Sequence, residues 1–157
     1  MAFEFRGSPQ NANVEKFEIV VKNHSHETDK INEHFRVFAE QAGISEAIVK
    51  KFYVVFDELL SNIISYAYED ENEHDIEIKM EFSGNRLTVI ILDDGIPFNP
   101  LGIDTPDMKL SLEDREIGGL GIHLVRNLMD EVFYHRGIDK NVITLIKYLN
   151  ADDKLPR

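Results

Sequence analysis

Two adjacent stretches in the middle of the chain constrain the fold most. Ile76, Ile78, Met80 and Phe82 alternate with Glu77, Lys79 and Glu81, and Ser83 to Asn85 then turn into a second strand-like run, Leu87 to Leu92. Successive strand residues point to opposite faces, so the pattern predicts a hairpin with one apolar and one wet face. The apolar face needs a cover. Helical spacing supplies it: Ile31, Phe35 and Phe38 recur within Glu27 to Gln41, Gly43 stops that helix, and Ser45 caps a second one running to about Tyr68. Phe35, Phe38, Phe52 and Phe56 read as core. A first strand is predicted over Glu15 to Lys22, after a loose polar stretch over 1–14. Beyond a loop from Asn99 to Ile117 come a helix from about Leu120 to Met129 and strands at Val132 to His135 and Val142 to Tyr148. This order predicts an α+β two-layer sandwich, with a mixed, mostly antiparallel sheet and helices on one face.

The chain has 157 residues, 43% of them hydrophobic, which suits one domain around one core, without internal repeats. It has no Cys, so disulfides and thiolate metal sites are excluded and a reducing cytoplasm fits. No apolar run approaches the roughly 20 residues of a membrane span, and the opening MAFEFRGSPQNAN lacks a signal-peptide core. A soluble, cytoplasmic protein is expected. The net charge of −12 opposes binding to a phosphate backbone, which excludes nucleic acid and leaves a basic protein partner open. The six His residues show no HExxH-like spacing and read as solvated or structural.

Chemistry enters through FDELLSNIISYAY, Phe56 to Tyr68. Glu58 and Asn62 stand at i and i+4 on one helix face, among Val54, Val55, Leu59, Ile63 and Ile64. Burying such a pair without partners is unfavourable, so it reads as the lining of a pocket. Two later segments, ILDDGIPFNP from Ile91 and GGLGIHLVRNLMDEV from Gly118, place glycine and acid where a ligand could approach the backbone. No GxxxxGK[ST] is present, and GGLGI follows an irregular loop instead of a strand, so neither a P-loop nor a dinucleotide fold explains them.

ELLSN with YAY after it, DDGIPF, and GGLGI followed by LVRNLMDEV resemble, in order and spacing, the GHKL-type ATPases, and within them the small bacterial anti-sigma factor serine/threonine kinases. The resemblance runs from about Glu15 to Leu149. It implies a single histidine-kinase-like ATP-binding domain over 15–150, a lid at 99–117 and a tail over 151–157. It implies ATP and magnesium as cofactors, with Asn62 holding the metal against the phosphates and Glu58 as general base. It further implies that Asp93 accepts a hydrogen bond from the adenine amino group, that Gly95 admits the base, and that Gly119, Leu120, Gly121 and Ile122 form the phosphate loop at a helix start. Arg115 in the lid is implied as a contact to the terminal phosphate. Asn141 stands where the family commonly has a threonine supporting the adenine aspartate, and Tyr66 where many relatives have a histidine. The function implied is phosphorylation of a serine on an antagonist protein in a partner-switching pathway, with a sigma factor as a second partner. A nucleotide-gated binding protein that transfers nothing is the alternative. Homodimerisation is a family option that no face of this sequence singles out.

Overall fold

The computed structural model describes residues 14–102 and 119–156. The stretch 1–13, and with it the polar segment expected to be loose, lies outside the described residues, as do most of the lid and Arg115. The element order is β1 (Val14–Lys22), α1 (Glu27–Ala42), α2 (Glu46–Tyr66), β2 (Asp75–Ser83), β3 (Arg86–Asp93), α3 (Gly119–Leu128), β4 (Glu131–Arg136) and β5 (Asn141–Tyr148). The five strands form one sheet in the order β1-β2-β3-β5-β4. Every pairing in it is antiparallel, a step beyond the mixed sheet expected.

The alternation of the sequence is reproduced residue by residue. Ile76, Ile78, Met80 and Phe82 of β2 and Leu87, Val89 and Ile91 of β3 are buried, while Glu77, Lys79 and Glu81 lie on the other face. Gly84, with φ of 64°, makes the turn between them, a left-handed conformation that favours glycine. Helices α1 and α2 cover the buried face, and their aromatic residues interlock. Phe35 lies 4.8 Å from Phe52 and 5.3 Å from Phe56 between ring centroids, all fully buried.

Gly43 ends α1 in the left-handed region at φ 74°, and Ile44 N–H bonds back to Ala39 O at 2.8 Å. Ser45 is the residue before α2, but its hydroxyl makes no capping bond and is buried without a partner. The expected side-chain cap is therefore absent. Ser45 N–H instead donates to Asp153 O at 2.8 Å, and Leu155 N–H to Gly43 O at 2.8 Å. The segment 151–156, expected to be a tail, thus closes over the α1–α2 junction. The helix face named in the sequence also needs adjustment: Val55, Leu59 and Ile63 are buried, but Val54 is exposed and Ile64 half-buried.

Candidate functional site

The apolar face of α2 carries two polar residues, Glu58 and Asn62, and the first of them meets the start of α3. Glu58 is half-buried, and its carboxylate lies directly against the backbone of Gly121, where a Cβ would stand 1.8 Å from Oε2. Loss of water around Glu58 raises its pKa above the usual range, and the neighbouring Asp57 adds to the rise. One turn on, Asn62 is buried, its Nδ2 has no hydrogen-bond partner, and Oδ1 meets none among the described residues. A buried amide left open in this way could meet a ligand. The amide oxygen suits a hard cation such as magnesium.

Helix α3 begins at Gly119, so Gly119, Leu120 and Gly121 are its first three residues, whose N–H groups have no partner inside the helix. These donors and the helix dipole favour an anion. The Ile122 side chain is in the core, and as the fourth residue of α3 it stands behind these donors. For Leu120 only the backbone is described.

The second half of the site lies at the end of β3. Asp93 and Asn141 face one another in the antiparallel register, both buried. Asp93 Oδ1 accepts from Gly95 N–H at 3.0 Å and from Asn141 Nδ2 at 2.8 Å. Burial raises the Asp93 pKa. Those two bonds and the charge of Arg136 oppose the rise, while the charge of Asp94 adds to it. Asn141 Nδ2 also donates to Ile96 O at 2.8 Å, and Asn141 Oδ1 accepts from Phe98 N–H at 3.1 Å and from the Tyr134 hydroxyl at 2.6 Å. Both donors and both lone pairs of this amide are therefore taken by protein groups. Asn141, standing where the family commonly has a threonine supporting the adenine aspartate, thus holds Asp93 and the loop behind it.

Gly95 has a packing reason to be glycine. A Cβ there would stand 2.4 Å from Ala67 O, so the residue is small in order to pack on the end of α2. Ile96 N–H bonds that same Ala67 oxygen at 2.8 Å. Tyr66 is exposed, and its ring lies 5.7 Å from that of Phe98. The sequence reading missed Tyr134 and Arg136, whose NH1 donates to Gly95 O at 2.8 Å. It also missed His74, which bonds Asp70 at 2.7 Å and Asp94 at 3.1 Å and stacks on Tyr68. Alternation in β4 marks Tyr134 as inward-facing, but nothing local names its partner.

Residues 21–147 match the model of the histidine kinase-like ATPase domain family, which spans all of these elements except part of β1 and the end of β5. The chain belongs to that family. A serine-protein kinase RsbW from Bacillus velezensis is 29% identical over 120 residues, 73% of each chain. The RsbW of Bacillus subtilis is 28% identical over 122 residues, again 73% of each. The solved RsbU and RsbW domains of a Mycobacterium tuberculosis protein share the fold, with a TM-score of 0.64 at 12% identity over 90% of this chain and 34% of that one. The Glu58, Asn62 and α3 half offers an acid, an amide and backbone N–H donors, and the other half offers the buried carboxylate of Asp93.

Proposed function

We propose that this histidine kinase-like ATPase is a protein serine/threonine kinase of the anti-sigma factor type, transferring the terminal phosphoryl group of ATP to a serine of an antagonist protein in a partner-switching pathway. What carries the reading is Glu58, a carboxylate with a raised pKa packed against the first turn of α3, where the triphosphate is best held. Glu58 accepts the proton of the attacking serine hydroxyl. The serine oxygen forms its bond to the γ-phosphorus as the bond to the β–γ bridging oxygen breaks, and ADP leaves. Asp93 orients the adenine through its amino group, and Arg115, outside the described residues, neutralises terminal phosphate charge.

Among the described residues no group of three or more His, Asp or Glu is placed to hold a metal. Asn62 would therefore be a protein oxygen donor to a magnesium ion held otherwise by phosphates and water, and that ion would neutralise charge on the phosphates. A sigma factor is proposed as the second partner, with a homodimer as the assembled form. No described helix is long and apolar enough to cross a membrane, and a cytoplasmic site of action fits the absence of Cys.

The second reading, a nucleotide-gated binding protein without transfer, is favoured by one observation. Tyr66 occupies the histidine position of many relatives and stands exposed beside Phe98, which changes the polarity near the phosphates. Calorimetry with ATP, with and without magnesium, on the wild type and Asn62→Ala tests the shared part. Magnesium-dependent binding lost in the variant supports the site, and binding indifferent to both sinks it. Phosphotransfer to the antagonist then separates the readings. Glu58→Ala should abolish it with ATP affinity within a few-fold of wild type, whereas a wild type that transfers nothing favours the gated binder.

A further inference from the structure

The loop after Asp93 is fastened to the sheet by side chains from β4 and β5, and they converge on the group that reads the base. Arg136 holds Gly95 O, while Asn141 holds Ile96 O and Phe98 N–H. The polarity of the Asn141 amide is fixed by these backbone groups, because an N–H can only donate and a carbonyl can only accept. Reversing the amide would set its NH2 against Phe98 N–H and its oxygen against both Ile96 O and the Asp93 carboxylate. At the far end of this chain of bonds is the half-buried Tyr134, whose hydroxyl donates to Asn141 Oδ1 at 2.6 Å.

We infer that Tyr134 is a positioning residue for base selection: through Asn141 it holds Asp93 as an oriented acceptor, and so sets the preference of the site for a 6-amino purine over a 6-oxo purine. The inference rests on the reading of Asp93 as the group that meets the adenine amino group. Both bonds that Asp93 receives among the described residues fall on Oδ1. Its other oxygen is thereby left to a ligand donor. An ionised carboxylate accepts only, so an amino group at the 6 position is bound and a carbonyl there is repelled. Without the Tyr134 hydroxyl, Phe98 N–H is the remaining donor to Asn141 Oδ1 among the described residues, so the amide is held less firmly and its N–H is aimed at Asp93 for less of the time. Protonation of the buried carboxylate then becomes easier, and a protonated acid can donate to a carbonyl.

The test compares affinities for ATP and inosine triphosphate, which differ at that position, in the wild type and Tyr134→Phe. The wild type should prefer ATP, and the ratio should fall roughly three- to tenfold in the variant, the worth of one neutral hydrogen bond. A tyrosine with a merely structural role would weaken both nucleotides by the same factor, and an unchanged ratio overturns the inference while leaving the adenine reading intact. A wild type with no preference overturns the adenine reading and the inference with it. If Tyr134→Phe does not fold, Asn141→Asp keeps the ring and replaces the N–H aimed at Asp93 with an oxygen. It should lose the preference too, and a retained ratio would equally overturn the link.

Discussion

A side chain as small as a methyl at Gly121 would stand 1.8 Å from Oε2 of Glu58 and 2.4 Å from its Cδ. The start of α3 and the proposed general base are therefore fitted to one another, and what must yield is the tip of a flexible side chain rather than backbone.

Gly121→Ala should accordingly leave the fold intact, since alanine favours a helix over glycine by up to about 1 kcal/mol. Phosphotransfer should fall by roughly a hundredfold or more, the scale of a displaced general base. Urea unfolding and a transfer assay on the same preparation check this. A stable variant that transfers at the wild-type rate would show that the position of Glu58 does not matter.

Gly95→Ala should behave oppositely. Its Cβ would meet Ala67 O at 2.4 Å and Ala67 Cβ at 2.7 Å, atoms of a buried helix end with little room to move. Overpacking of this kind destabilises by about 1–3 kcal/mol, and the loop that carries Asp93 should shift with it. Chemical denaturation should show the loss, and ATP affinity should fall in parallel.

Glu58 gives a pH signature. Its folded pKa is raised, so ionising it disfavours the folded state, and that penalty is absent below the unfolded pKa, about 4.3, and complete above the raised folded value. Glu58→Gln should therefore raise the unfolding temperature at neutral pH, with the gain vanishing toward pH 4. A gain that persisted at acid pH would mean that the carboxylate charge is not its source.

His74 has the opposite sign. Its bond to Asp70 raises its pKa most; loss of solvation opposes this, and the bond and charge of Asp94 add to the rise, while its ring lies on Tyr68. The stability this confers is fully present below the unfolded value, about 6.5, and is lost as pH rises through the folded pKa. His74→Gln should thus destabilise more at pH 6 than at pH 8.5. Proton NMR of the His74 ring should give a midpoint above that of a free histidine, and a midpoint at or below it would refute the clasp.

The elements were legible because their signals are local. Alternation in Ile76 to Phe82, helical spacing of Phe35, Phe38, Phe52 and Phe56, and Gly43 as a stop each depend on residues close in sequence, and each is reproduced. The Glu58 and Asn62 pair was legible for the same reason, since i and i+4 share a helix face in any context. Ser45 was read correctly as the start of α2 but not for its capping bond, because its surroundings include Asp153, more than a hundred residues away in sequence.

By itself the sequence determined which segments are strands and helices, which faces are apolar, and which acids, amide and glycines are candidates for a nucleotide site, all of which follow from spacing along the chain. Only the tertiary structure decided what each candidate touches. It set Glu58 against Gly121, packed Gly95 on Ala67, saturated the Asn141 amide with protein partners, and brought Tyr134 into the site through it. The physical reason is that hydrogen-bond partners across a sheet depend on which strands pair and in what register. The register that sets Asp93 opposite Asn141 is fixed by burial of the whole sheet face, not by either residue.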